Sequence, residues 1–140
     1  MNLNLNEITF VIVTYKSESI IQDCLNTLPS ESKKIIVENS NNINLGKDLK
    51  LKYDNIEVIL SENIGMGAGN NIGLKSCKTK YAYILNPDTK LNNNTIKNLR
   101  YNVDLIDNGK YEIKSDYGEV TIKDGIEIIK MKDVTAIFTH

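Results

Sequence analysis

Tyr81-Ala82-Tyr83-Ile84-Leu85-Asn86-Pro87-Asp88-Thr89 sets an apolar, aromatic-rich run of strand length against an abrupt Asn-Pro-Asp turn. The run reads as a buried strand. Pro87 has no amide hydrogen to give a sheet ladder, so pairing is expected to stop there. Asp88 is then held at a rigid strand end, where a carboxylate can meet a metal ion or a phosphate. Asn, Pro and Asp are also turn formers, and in isolation the motif reads first as a turn that caps the next helix. The rest of the chain weighs on that choice.

Upstream, Ile8–Thr14 is a near-continuous β-branched run, as in a parallel strand buried on both faces. Ser17 is placed to cap a helix over 18–28, with Ile20, Ile21, Cys24, Leu25 and Leu28 on one face. Residues 34–38 and Ile56–Leu60 read as two more short strands. Between them lie the polar loop Asn39-Ser40-Asn41-Asn42 and a weaker helix over 45–53. A glycine-rich loop from Ser61 runs into a helix ending near Cys77, and residues 94–105 read as a further helix.

This β-α-β-α-β-α-β-α order predicts an α/β fold: a mostly parallel, Rossmann-like sheet flanked by helices on both faces, with right-handed crossovers. Ligands of such sheets bind at the carboxyl ends of the strands, near the reversal of strand order. The loops at 14–18, 38–42, 63–71 and 86–89 are expected to gather on that edge. Beyond Asn108 the pattern changes to short strands over 110–113, 120–122, 126–131 and 134–138, punctuated by Gly109, Gly118 and Gly125. The expectation is one domain over 1–140, an α/β core at 1–108 with a β-rich extension at 109–140, and a polar hairpin over 110–123.

The chain has 140 residues, 41% apolar and 25% charged, which suits a globular domain with a real core. A net charge of −1 gives no electrostatic case for nucleic acid. No apolar run approaches the roughly 20 residues that span a bilayer. Residues 1–7 lack the basic and apolar regions of a signal peptide, so a cytoplasmic setting is expected. Cys24 and Cys77 have no metal-ligand spacing and read as small apolar residues.

Gly65-Met66-Gly67-Ala68-Gly69 invites a dinucleotide reading, but the Gly-x-Gly-x-x-Gly frame meets Asn70 from Gly65 and Ile72 from Gly67. No Gly-Lys-Ser/Thr completes a P-loop. What remains is a backbone that approaches a ligand closely, with helix N-terminal amides able to meet a diphosphate. Tight helix-on-sheet packing that accepts only glycine is the alternative. Asn63, Asn70 and Asn71 supply donors that packing does not require.

Four stretches then stand together: residues 11–17 (Val-Ile-Val-Thr-Tyr-Lys-Ser), 35–40 (Ile-Ile-Val-Glu-Asn-Ser), 62–74 (Glu-Asn-Ile-Gly-Met-Gly-Ala-Gly-Asn-Asn-Ile-Gly-Leu) and 84–89 (Ile-Leu-Asn-Pro-Asp-Thr). In order and spacing they resemble a family 2 glycosyltransferase with the GT-A fold, close to its rhamnosyltransferase-like branch, over about residues 8–100. The resemblance implies transfer of a sugar from a nucleoside diphosphate sugar, UDP- or dTDP-linked, to an acceptor hydroxyl in polysaccharide biosynthesis. It also implies a divalent metal, Mn²⁺ or Mg²⁺. By position, Thr14 and Tyr15 would line the nucleobase pocket with Glu18 nearby. Glu38 stands where the family usually has an aspartate on base or ribose. Asn63, Gly65 and Asn71 would lie along the diphosphate and sugar. Asn86 and Asp88 match the Asp-x-Asp type of motif, with Asp88 as metal ligand and the neutral Asn86 as a donor contact.

Members of the family usually continue well past this motif into an acceptor region that carries an acidic general base. That half is expected to be largely missing here, and no catalytic base is identified. Asp104, Asp107, Asp116, Asp124, Glu127 and Asp133 read as surface carboxylates, and His140 as part of a frayed terminus. Two functions therefore stand beside each other: the donor-binding part of a metal-dependent glycosyltransferase, and a non-catalytic nucleotide-sugar-binding or interaction module. A generic α/β nucleotide-binding domain is a third. Apolar surface left by a missing half would predict a homodimer or a partner chain.

Overall fold

The computed structural model describes residues 5–95, 97, 121–123, 126–130 and 135–139. At its centre lies β1 (Ile8–Thr14), buried at every position. Its residues alternate between two faces, as strand geometry dictates. Ile8, Phe10 and Ile12 point to one side, together with Ile36, Tyr81, Tyr83 and Leu85. The helices α1 (Ile21–Leu25) and α2 (Ile43–Lys52) cover that side through Ile21, Cys24, Leu25, Leu45 and Leu49. Val11 and Val13 point to the other side with Ile35, Val37, Ala82 and Ile84, and there α3 (Met66–Ser76) packs through Ile72 and Leu74.

The parallel strands β2 (Lys33–Glu38), β3 (Ile56–Leu60) and β4 (Tyr81–Leu85) flank β1 in the order β3-β2-β1-β4. Val11 faces Ile35 on one side and Ile84 on the other. The chain thus walks outward from β1 to β3, then returns across the sheet to β4. That return is made by α3 on the opposite face from α1 and α2, as a right-handed crossover requires. The strand order reverses between β1 and β4, which opens a crevice at their carboxyl ends.

The return also explains two glycines. A Cβ on Gly73 would lie 2.3 Å from Val11 Cγ1, and one on Gly69 would lie 2.9 Å from Val13 Cγ2. Only glycine lets α3 sit this close to β1.

The first helix is shorter than expected. Ser17 does not cap it. The Ser17 carbonyl accepts from the amides of Ile20 and Ile21 in turn geometry, and its hydroxyl is spent on the backbone of Tyr15. At the other end Thr27 donates its amide and hydroxyl to the Cys24 carbonyl and closes the helix. The remaining elements fall close to their expected places, and β4 stops before Pro87.

Further along, β5 (Thr121–Lys123), β6 (Ile126–Lys130) and β7 (Thr135–Thr139) join the same sheet and form no second layer. β7 lies parallel to β4, and β6 and β5 follow antiparallel. Residues 93–95 and 97 are helical. The expected helix beyond 97, the strand at 110–113, most of the hairpin over 110–123, His140 and the aspartates at 104, 107, 116, 124 and 133 lie outside the described residues. Among the described residues no helix is long and apolar enough to cross a membrane.

Candidate functional site

The four polar loops do meet on the carboxyl edge, and hydrogen bonds tie the first three of them together. The amide of Asn39, at the end of β2, donates to the Thr14 carbonyl at the end of β1 at 2.7 Å. Lys16 sits in the left-handed region at φ 51°, and its amide donates to Ser40 Oγ at 3.3 Å. Asn42 caps α2 by accepting from the Leu45 amide, while its Nδ2 donates to Glu18 Oε1 at 2.8 Å. The hydrogen bond from its own backbone amide first, and the Asn42 bond second, hold the exposed Glu18 carboxyl below the usual range.

Glu38 is the anchor of this arrangement. Its side chain is fully buried, and its carboxylate accepts four hydrogen bonds. Thr14 Oγ1 and Ser40 Oγ donate to Oε1, and the amides of Ser40 and Asn42 donate to Oε2. Charge-assisted bonds of this kind offset the cost of burying the carboxylate. Glu38 and Thr14 therefore stand behind the loops rather than on the open surface.

In front lies a cleft of about 270 Å³, lined by Val13, Tyr15, Ser17, Asn39, Asn63, Gly65, Met66 and Pro87. It sits where the strand order reverses, bounded by the loops after β1, β2 and β4 and by the start of α3. That helix begins without a side-chain cap, on Gly65 at φ 90° and ψ 163°. This is a backbone state that side chains other than hydrogen rarely tolerate. No atom lies within 4 Å of where a Cβ would stand on Gly65 or Gly67. The first amides of α3 are thus left for a partner outside the helix, and the helix dipole favours a negative one. Asn39 adds an unusual feature. It is 2% exposed, its Nδ2 donates to the Gly65 carbonyl at 3.3 Å, and its Oδ1 has no hydrogen-bond partner. An unsatisfied buried acceptor costs about 1–3 kcal/mol.

Asp88 lines an adjoining hollow of about 230 Å³ with Ile20, Asp23, Cys24 and Lys90. The consecutive residues Pro87 and Asp88 therefore border the two spaces. The loop is tied to α1 by Cys24 Sγ, which donates to the Asn86 carbonyl at 4.0 Å, and to the turn that follows α1. The Thr89 amide closes the turn onto the Asn86 carbonyl, and the Leu91 amide donates to Thr27 Oγ1 at 3.0 Å. Burial first, and the Asp88 carboxylate second, push the Cys24 thiol up to about 11, so it stays protonated at neutral pH. Among the described residues no group of three His, Cys, Asp or Glu side chains could hold a metal ion. Asp88 and Asp23 in one hollow fit a hard cation only if substrate oxygens and water complete its shell, which is the habit of Mg²⁺.

Of the residues the sequence pointed to, Tyr15, Asn63 and Gly65 line the cleft and Asp88 borders its neighbour. Glu18 and Asn86 are exposed beside them, and Asn71 lies exposed on α3 away from the cleft lining. Ser17, Asn39, Met66 and Pro87 line the cleft without having been singled out for it.

The model of Glycosyl transferase family 2 matches residues 9–111. A hexosyltransferase of low-salt glycan biosynthesis, Agl10 of Haloferax volcanii, is 29% identical over 100 residues, covering 68% of this chain and 32% of that protein. The chain thus spans about a third of this relative's length. The crystal structure of S. aureus TarS superposes with a TM-score of 0.58 at 19% identity, over 85% of this chain and 23% of that one. TarS 1–349 in complex with UDP gives 0.58 at 20% identity, over 81% and 40%. These likenesses show the fold, which is of the GT-A type.

Proposed function

The chain belongs to glycosyl transferase family 2, and on that premise we propose that its cleft binds a nucleoside diphosphate sugar for transfer of the sugar to an acceptor hydroxyl. The observation that carries the reading is the uncapped, glycine-led start of α3 facing Tyr15 across the strand-order reversal. Tyr15 offers an aromatic face for a base, and the free amides of α3 suit phosphate oxygens. Asn63 and Gly65 line the same space. Thr14 and Glu38 serve the site by fixing the loops that carry Tyr15 and Asn39. Glu18 holds the same loops through Asn42.

A divalent cation, Mn²⁺ or Mg²⁺, would be held by Asp88 with Asp23 beside it and Asn86 near the diphosphate. When bound, such an ion neutralises charge on a leaving diphosphate. The UDP carried by TarS 1–349 supports a UDP- or dTDP-linked donor here. Polysaccharide synthesis at the cytoplasmic side is the setting that fits this reading.

Calorimetric titration with UDP, dTDP and GDP tests it. Binding of UDP or dTDP is expected, and no binding of any of the three would overturn the reading. Binding without hydrolysis of the matching nucleotide sugar would instead favour a binding module.

A further inference from the structure

We infer that Thr27 is a positioning residue for the turn that carries Asp88. Its hydroxyl, bonded at once to the Cys24 carbonyl and the Leu91 amide, sets the carboxylate where a divalent cation and a diphosphate would meet. The inference rests on the donor-site reading above and adds the residue through which the frame of the fold acts on the cation.

Asp88 needs such support because the sheet does not supply it. β4 ends at Leu85, and Pro87 has no amide hydrogen with which to continue the ladder. The bond from the Thr89 amide to the Asn86 carbonyl shapes the turn but does not place it against the rest of the chain. Placement comes from the segment 24–27. Cys24 Sγ reaches the Asn86 carbonyl at 4.0 Å, and a thiol is a weak donor. On the other side of Asp88 the Leu91 amide meets Thr27 Oγ1 at 3.0 Å, which makes Thr27 the stronger of the two ties.

The direction of the Thr27 hydroxyl is settled by its neighbours. The Cys24 carbonyl, 2.7 Å away, can only accept, so it takes the hydroxyl proton. A lone pair of Oγ1 is then left for the Leu91 amide, which can only donate. The run from N–H to O–H to C=O polarises each bond in turn. Leu91 also packs in the core with Leu25 and Leu28. Apolar packing has no direction. The bond to Thr27 fixes how the peptide between Lys90 and Leu91 is turned, and Lys90 and Asp88 line one hollow with Cys24.

A hydroxyl that served only to close α1 would need the Cys24 carbonyl alone. The second bond, to a residue 64 positions further on, goes beyond that task. Groups that stand behind a metal ligand and orient it commonly change metal affinity tenfold or more when removed.

The test is calorimetric titration of UDP across a series of Mn²⁺ concentrations, on the native chain, Thr27→Val and Thr27→Ser. Valine keeps the shape and loses both bonds, whereas serine keeps both. In Thr27→Val the Mn²⁺ concentration that gives half of the enhancement is expected to rise about tenfold, with metal-free UDP binding changed less than about twofold. Thr27→Ser is expected to stay within about twofold of the native chain on both counts. An unchanged Mn²⁺ midpoint in Thr27→Val would overturn the inference, as would a serine chain impaired as far as the valine chain. A metal-free affinity that falls in step with the metal-bound one would overturn it too, since that is the mark of a purely structural role. Amide exchange at Leu91, read by NMR on the native chain, depends on no variant folding. Slowing by about a hundredfold or more relative to an open amide is expected, and exchange at the open rate would overturn the tie. UDP binding to the native chain that ignores Mn²⁺ would remove the metal reading itself, and this inference with it.

Discussion

The loop after β2 and the loop leading into α3 touch through Asn39 Nδ2 and the Gly65 carbonyl, yet their hydrogen bonding is opposite in character. In the first, a buried carboxylate gathers two amides and two hydroxyls, and Asn42 caps the next helix. Each of these groups has its partner inside the chain, and Asn39 Oδ1 is the exception in this loop. In the second, the helix starts on a glycine at positive φ, lacks a side-chain cap, and leaves Ile64 and Met66 about half exposed. The contrast teaches which part is frame and which part is mouth. Satisfied polar groups rigidify a loop, whereas unsatisfied ones beside a cleft mark the place where a ligand completes the structure.

Substitutions can break or sharpen this contrast. The largest effect belongs to the seat of α3. Gly73→Val drives methyl groups into Val11 and is expected to cost about 3 kcal/mol in chemical denaturation. A chain of unchanged stability would mean that α3 does not lie against β1 as described. Next comes Glu38→Ala, which strands the amides and hydroxyls of the closed loop. A loss of about 2–3 kcal/mol is expected, with urea unfolding as the readout.

Gly65→Ala probes the open loop. No atom stands near the added methyl, so the cost is backbone strain alone, about 1–2 kcal/mol. Gly67→Ala is the counterpart, also in open space but with no positive φ. It is expected to stabilise the chain by about 0.5–1 kcal/mol, because alanine loses less backbone entropy in a helix. If both substitutions act alike in thermal melts, the strained start of α3 is wrong.

The smallest effect concerns Glu18. Its pKa is depressed, so any stabilisation it gives is present at neutral pH. That share is lost only as pH falls through the lowered value, below the ordinary glutamate range of about 4.3. Glu18→Gln should leave the melting temperature at pH 7 essentially unchanged, since the side chain is fully exposed to solvent screening. A carboxyl titration by NMR at or above the ordinary value would contradict the Asn42 contact.

Much of the fold was legible because parallel strands buried on both faces are written as continuous β-branched runs, as in β1 and β2. Helix ends were less legible. Ser17 looks like a cap in sequence, but its hydroxyl bonds to Tyr15, two residues back, and a local turn wins over the cap. The glycine-rich stretch held both of its readings at once. Gly69 and Gly73 serve packing while Gly65 and Gly67 face open space, and the four-residue spacing of the first pair was the available signal. Asn39 could not be read from sequence. Its orphaned oxygen depends on a carbonyl 26 residues away that fixes the nitrogen. Nor could the saturation of Glu38, whose partners come from the end of β1 and the loop after β2.

The central claim is that the open mouth beside Pro87 and Asp88 takes a nucleoside diphosphate together with a divalent cation. Its most direct test is calorimetric titration of UDP with and without Mn²⁺, on the native chain and on Asp88→Ala. The account expects binding that Mn²⁺ strengthens at least tenfold in the native chain, an enhancement that Asp88→Ala removes. Binding that ignores Mn²⁺, or that Asp88→Ala leaves as metal-dependent as before, would contradict it.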